Sequence, residues 1–215
     1  MMNAVRTAIV MVFALMLSGV ASAQEAPFQE GKDYLKLSTP VQTQSDSGVE
    51  VAEVFWYGCP HCLRFKPQVE AWAKQAPDYV NFVLLPAALG KSWEPHARAF
   101  YALEAMDART QAVHDALYEA LAGEHKPLND GESLAKFLGT QGVDAEEFLK
   151  NYNSFGVNTM LQKAQAKVRG ARITGTPTML VAGKYTITAS QAGSFEKMLQ
   201  VVDYLVKKEH EAQAQ

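Results

Sequence analysis

The 215-residue chain holds only two cysteines, Cys59 and Cys62, and both fall in the stretch Phe55-Trp56-Tyr57-Gly58-Cys59-Pro60-His61-Cys62-Leu63. That scarcity excludes a scaffold built on several disulfides. It also leaves a zinc site two ligands short, because His96, His114 and His125 are scattered without the paired spacing of metal ligands and read as ordinary surface or semi-buried residues. Covalent haem attachment needs a histidine directly after the second cysteine, and Leu63 stands there. Basic excess is missing as well. The formal net charge is −3, and a phosphate-binding surface needs the opposite balance, so nucleic acid is not an expected partner. The sequence shows no internal repeat and no long low-complexity stretch.

Long hydrophobic runs are also lacking, apart from one at the N-terminus. Arg6 precedes the apolar run Ala8 to Leu17, and Ser18-Gly19-Val20-Ala21-Ser22-Ala23 follows with small residues at both cleavage-specificity positions. This is the order of a secretory signal peptide, residues 1–23, and the run is too short for a comfortable membrane span. An uncleaved anchor is the lesser alternative. Cleavage after Ala23 would leave a soluble, exported chain starting at Gln24, with 24–30 and 207–215 expected to fray. An exported cysteine pair can remain oxidised. Yet a chain this size with 48% hydrophobic residues builds its own core, and closing a loop across two residues adds little stability. A structural staple is a poor explanation for the pair.

Val49 to Tyr57 is β-branched and aromatic, too apolar for a half-exposed strand. Beyond Gly58, Cys62, Phe65, Val69, Trp72 and Ala76 recur at helical spacing, with Pro67 inside the helix and Pro77 stopping it. Tyr79 to Leu85 reads as a second buried strand, parallel to the first. Ser92 to Arg169 is helical throughout, in segments Trp93–Met106, Arg109–Leu121, Ser133–Leu138, a short one capped by Asp144 and Glu147, and Ser154–Arg169. Thr178–Val181 and Lys184–Ile187 form a hairpin around Ala182-Gly183, and a last helix spans about Ser194 to Lys207. The order is β-α-β, a helical block, then β-β-α. Each half has too few strands for a stable sheet alone, so one α/β domain interrupted by a helical insertion is expected.

This placement gives the two sulfurs different chemistry. Residues i and i+3 lie on one side of a helix, at a separation suited to a disulfide. Cys59 falls at the helix N-terminus, where free N–H groups and the helix dipole favour a thiolate. Cys62 continues the buried stripe one turn later. An exposed, acidic sulfur beside a shielded one suits thiol–disulfide exchange, with Cys59 attacked and Cys62 resolving the mixed disulfide. Pro60 fits the first helical turn without cost, and His61 can bring a positive charge or a donor to the Cys59 sulfur. A stabilised thiolate favours the reduced form and makes the disulfide the stronger oxidant.

Cys-Pro-His-Cys after an aromatic-rich strand, followed by a helical insertion and Thr176-Pro177, resembles the DsbA family of periplasmic thiol:disulfide oxidoreductases over essentially the whole mature chain. That family is itself a standard example of an acidified cysteine and an oxidising disulfide. The resemblance implies a thioredoxin fold over 24–86 and 165–215 with an all-helical insertion over 87–164. It implies a cis Pro177 facing the cysteines, with the Thr176 backbone exposed for strand-like pairing with substrate. Glu53 lies in the apolar run of the first strand on the face of Phe55 and Tyr57, where a carboxylate is costly unless paired or protonated. The resemblance assigns it a proton relay to Cys62, against the alternative of a strand-edge charge reaching solvent. The family's lysine before the second strand is replaced here by Ala76-Pro77-Asp78.

The resemblance thus implies a monomeric periplasmic oxidase that gives its Cys59–Cys62 disulfide to unfolded exported proteins. A membrane quinone-linked partner of the DsbB type would reoxidise it, and no flavin, haem or metal is expected. The alternatives are a disulfide reductase or isomerase, or a peptide-binding chaperone that does not use its thiols.

Overall fold

A computed structural model describes residues 26–45 and 47–213; the expected signal segment, 1–23, lies outside them. The centre is a five-stranded mixed sheet. Its strands are β1 (Leu35–Lys36), β2 (Val49–Phe55), β3 (Val80–Pro86), β4 (Thr178–Val181) and β5 (Tyr185–Thr188), arranged β1-β5-β4-β2-β3. β2 and β3 run parallel, and the other pairs are antiparallel. All seven residues of β2 are buried, as its near-continuous apolar run requires of a central strand. β1 was not legible in the sequence, since a two-residue strand carries no period.

Helix α1 (Pro60–Gln75) returns from β2 to β3 across one face of the sheet, and α8 (Phe195–Gln213), which follows the single turn α7 (Ala189–Ala192), packs beside it. Between helices and sheet, Val49, Val51 and Met179 meet Phe65, Val69, Met198 and Val202. Each such fully buried side chain contributes about 1.5–3 kcal/mol. The opposite face holds Ala52, Val54 and Leu180 against Ala164 and Val168 of α6 (Phe155–Gly170). α6 crosses the expected boundary at 164–165 without interruption. Its first half, through Val157, joins the helical cluster, and its second half lies on the sheet.

The helical block contains α2 (Glu94–Ala105), α3 (Gln111–Tyr118), α4 (Gly131–Gly139), α5 (Ala145–Tyr152) and the start of α6. Side-chain caps fix its starts: Thr110, Asp130, Asp144 and Ser154 each accept a backbone N–H of the first turn, an arrangement worth about 1 kcal/mol apiece. The reciprocal capping box sits at Asp130 and Ser133. At Asp144 the observed half is the bond from the Glu147 N–H, 2.9 Å. The helix expected over Arg109–Leu121 instead gives way to a π-helical turn at Glu119–Gly123. Ala120, Leu121 and Ala122 are all buried, and regular α spacing does not put three consecutive residues on one face.

α8 also outruns its expected end at Lys207. Glu209 is buried and accepts from the Tyr185 hydroxyl at 2.9 Å and from Lys184, which holds the last turns to β5. The hairpin turn demands its glycine: Gly183 has φ +63, and a Cβ there would stand 2.1 Å from the Val41 carbonyl oxygen. Among the described residues no helix is long and apolar enough to cross a membrane.

A buried ion pair ties α6 to β2. Glu50 accepts from Lys167 Nζ at 2.5 Å and from the backbone N–H groups of Gln44 and Ser45 at 2.5 and 3.1 Å. Removing one member of such a pair strands the other charge out of water. Lys167→Met is therefore expected to lower unfolding free energy by about 3 kcal/mol, read from the midpoint of urea denaturation followed by circular dichroism.

Candidate active site

β2 delivers the chain to the site. After Phe55 the segment Trp56-Tyr57-Gly58 turns, closed by a bond from Cys59 N–H to the Trp56 carbonyl at 3.0 Å. Gly58 has to be glycine here, because a Cβ would lie 2.4 Å from the Trp56 ring. Cys59 is the N-cap of α1, and Pro60 occupies the first helical position. The Cys59 sulfur takes the place of the usual serine or aspartate oxygen and accepts from the Cys62 backbone N–H at 3.4 Å. Both cysteines are reduced and both are buried, so Cys59, expected to be exposed, is only the less enclosed of the two.

Opposite the sulfur stands the loop before β4. The Thr176–Pro177 peptide is cis, as the resemblance implies, and the Thr176 carbonyl accepts from the Cys59 thiol at 3.4 Å. The Thr176 hydroxyl oxygen is buried with no hydrogen-bond partner among the described residues, which leaves it free to donate to a thiolate.

The two thiols have opposite acidities. Cys59 is lowered to about 5, first by a hydrogen bond from the Cys62 side chain. Burial opposes this, while the Thr176 side chain and the backbone N–H groups of Cys62 and His61 add to it. Cys62 is pushed far up, chiefly by burial and then by the same bond and the charge of Cys59. One buried proton is therefore shared asymmetrically, and Cys59 carries the charge.

His61 contributes differently from the sequence-based expectation. Its Nδ1 accepts from the Arg64 guanidinium at 2.7 Å, so the ring engages its own helix. The donor that reaches the Cys59 sulfur is the His61 backbone N–H. A free helix-terminal N–H does this for any residue type other than proline.

Glu53 is 3% exposed, and its Oε1 has no hydrogen-bond partner among the described residues. The alternative of a strand-edge charge in solvent therefore does not hold. Burial raises its carboxyl to about 8, the charge of Glu70 adds to the rise, and Lys66 opposes it. Lys66, on α1, is the cation that sequence reading did not find. It pairs with Glu70 at 2.7 Å and with Asp115 of α3. The signal was present as the i, i+4 pair Lys66–Glu70, but only the fold shows that it lies near Glu53.

His96 and His114 were expected to be surface or semi-buried residues, and both are 3% exposed. Trp56 Nε1–H donates to His96 Nδ1 at 2.8 Å, so His96 Nε2–H donates to the Leu128 carbonyl at 2.8 Å. His114 Nδ1 lies 2.9 Å from the Tyr57 hydroxyl, and burial lowers its pKa to about 3, which keeps it neutral. Trp56 also stacks on Trp93 at 4.1 Å. Both residues preceding Gly58 are thus pinned by the helical block. The available signal was position: His96 shares the stripe of Phe100 and Leu103, and His114 that of Leu117 and Leu121.

A groove of about 570 Å³ opens beside the cysteines, walled by His61, Thr176, Pro177, Leu35 and Phe195 among others. Among the described residues no three metal-ligating side chains converge.

The chain matches the family model of the DSBA-like thioredoxin domain over residues 50–202. It is 42% identical to the thiol:disulfide interchange protein DsbA of Pseudomonas aeruginosa, covering 99% of each chain. It is 40% identical to the protein of the same name from Azotobacter vinelandii, covering 89% of each. A crystal structure of Pseudomonas aeruginosa DsbA superposes with a TM-score of 0.84 at 42% identity, covering 87% of this chain and 97% of that one. The oxidoreductase NmDsbA1 of Neisseria meningitidis gives 0.78 at 28% identity, over 89% and 98%. A thioredoxin-type sheet, a cysteine pair capping its first helix and a cis proline across from it agree with these matches, and the chain belongs to the DsbA family of thiol:disulfide oxidoreductases.

Proposed function

We propose that this thiol:disulfide oxidoreductase works in the oxidising direction, donating the Cys59–Cys62 disulfide to exported proteins that carry free thiols. The observation that carries this reading is the Cys59 sulfur capping α1, where it accepts the Cys62 N–H at 3.4 Å and its thiol becomes more acidic, beside a Cys62 buried enough to stay protonated. A protein that holds its reduced form as a stabilised thiolate gives up its disulfide readily.

In the first step a substrate thiolate attacks Cys59 Sγ. The Cys59–Cys62 bond breaks, a mixed disulfide forms at Cys59, and Cys62 leaves with the electron pair and takes up a proton. In the second step another substrate thiolate attacks the substrate sulfur of the mixed disulfide. Cys59 leaves as the thiolate, and the substrate holds the new disulfide. Two electrons pass from two substrate thiols to the cysteine pair. A membrane partner of the DsbB type, linked to a quinone, takes those electrons away again. The redox group is the cysteine pair itself, with no cofactor, and the protein acts as a periplasmic monomer after removal of residues 1–23.

Glu53 exchanges the proton with Cys62. Raised to about 8, it is mostly protonated at neutral pH and can give a proton to the departing sulfur. The Thr176 backbone beside the cis proline offers an edge to an extended substrate segment. Pro60 and the His61 N–H shape the helix start that holds the charge on Cys59.

Cys59→Ser is expected to abolish oxidative refolding of a reduced two-thiol substrate. Cys62→Ser, offered a substrate that already holds a disulfide, should displace one substrate sulfur through the Cys59 thiolate and give a covalent mixed disulfide visible by mass spectrometry. Retained oxidase activity in Cys59→Ser rejects the reading.

Cys59 is depressed from 9.0 to about 5 in the folded, reduced state, so its contribution to stability is fully present above about 9. It shrinks as pH falls through the window between, and it is gone below about 5. The reduced protein should melt higher than the oxidised one at pH 8, with the gap closing toward pH 5, as measured by calorimetry of both forms.

Glu53→Gln should slow attack of Cys62 on a mixed disulfide by about tenfold or more and remove the inflection near pH 8 from its rate profile. An unchanged profile in stopped-flow measurements removes Glu53 from the proton path.

A further inference from the structure

The groove beside Cys59 and the cis proline has an unbalanced charge. Its wall carries hydroxyls from Thr174, Thr178, Thr188 and Ser190, apolar surface from Leu35 and Phe195, and one guanidinium, Arg172. No carboxylate lines it. Across the cysteines a second guanidinium, Arg64, is held at 2.7 Å to the ring of His61, which is itself part of the wall. The whole chain is net acidic, at −3, so a rim furnished only with cations is a local exception.

Arg172 follows the end of α6. Its φ is +52, the left-handed residue of a helix-ending motif in which its N–H donates to the Arg169 carbonyl at 3.0 Å and the Ile173 N–H to the Val168 carbonyl at 3.1 Å. The exposed guanidinium makes no hydrogen bond and no ion pair among the described residues, in contrast to Arg64, Arg98, Arg109 and Arg169. The carboxylates nearest in sequence to the groove do not neutralise it. Asp33, two residues from Leu35, is buried and already held by Lys197 and the Gln29 N–H. Glu196 follows Phe195 but is not part of the wall. The backbone at Arg172 closes α6, but its exposed side chain has no counter-charge in the groove beside the reactive sulfur.

We propose that Arg172 is a specificity-determining residue that favours thiol substrates with acidic side chains flanking the reactive cysteine. The proposal rests on the oxidase reading above. An extended segment laid against Thr176 brings the side chains around its cysteine along this wall. Charge at the rim of a binding surface acts mainly on the rate of encounter and on its salt dependence. The preference therefore belongs in the second-order rate of disulfide exchange and fades when salt screens the rim.

The test uses three peptides, each with one cysteine flanked on both sides by paired glutamates, glutamines or lysines. Reduction of the oxidised protein is followed at low ionic strength. Each rate is divided by that peptide's rate with a small neutral disulfide, which cancels differences in thiol acidity. The glutamate peptide should outpace the lysine peptide by about two- to fivefold, and the ratio should fall toward one in 0.5 M salt. Arg172→Gln and Arg172→Gly should shrink the ratio, and Arg172→Glu should invert it. The glycine variant suits the left-handed backbone, so it keeps the test valid should a bulkier replacement unfold. A ratio of one at low salt, or a ratio unchanged in all three variants, overturns the proposal. Failure of the wild type to oxidise even the glutamine peptide strikes the oxidase reading itself and removes the ground on which the proposal stands.

Discussion

One hydrogen-bonded contact, between the protonated Cys62 thiol and the Cys59 sulfur, sets the demands on everything around it. Cys59 has to sit where a helix leaves N–H groups unpaired, and Cys62 has to sit one turn deeper, dry enough to keep its proton. The first demand is met by the end of β2, the turn at Gly58 and Pro60 at the first helical position. The second is met by packing. Cys62 is completely buried in a cluster with Phe55, Tyr57, Phe100 and Leu117. Forming the disulfide removes both the charge and much of the sulfur's capacity to cap the helix. The helix start is therefore better satisfied when the pair is reduced, which is the thermodynamic root of an oxidising disulfide.

β2 carries two buried acids three residues apart, and their fates show how a fold separates structure from chemistry. Glu50 faces α6 and is fully engaged by Lys167 and two backbone N–H groups. Glu53 faces α1 and keeps one oxygen without a partner. An ionised carboxylate left that way in a dry site is too costly, so the group answers by holding its proton. The cation nearest to it, Lys66, is already divided between Glu70 and Asp115, which tempers its pull on Glu53. A lysine committed to Glu53 alone would hold the carboxylate ionised and leave no proton to exchange.

Much of this was legible in the sequence because the signals were local. The strand from Val49, the stripe Cys62-Phe65-Val69, the hairpin at Ala182-Gly183 and the placement of Cys59 at a helix start all follow from spacing and residue type. The fold family and Pro177 came from resemblance, since a single sequence gives no physical sign that separates a cis from a trans proline. What escaped was set by contacts between distant segments. β1 exists because Leu35 and Lys36 meet Thr186 and Tyr185, and α8 continues past Lys207 because Glu209 meets Tyr185. His61 was credited with its side chain when its backbone was the donor. His96 and His114 were passed over because a histidine on an apolar stripe looks like any half-buried polar residue until its partner is known.

Those two histidines show how the helical insertion is joined to the reactive end of the thioredoxin-type sheet. The sheet and α1 alone would present the Trp56–Cys62 segment to solvent on the side away from the cis proline. α2 and α3 cover that side, and they do so with polar groups matched to it: His96 takes the Trp56 indole and His114 meets the Tyr57 hydroxyl. His96 cannot be charged without losing the bond from Trp56, and burial favours the neutral form of both rings. The insertion also supplies Leu117, Tyr118 and Phe100 to the cluster around Cys62. The dryness that pushes the Cys62 proton up, and with it the charge onto Cys59, is therefore made at the seam between the two parts of the molecule. Loosening that seam would hydrate Cys62, narrow the gap in acidity between the two sulfurs and weaken the disulfide as an oxidant, with no change to either cysteine.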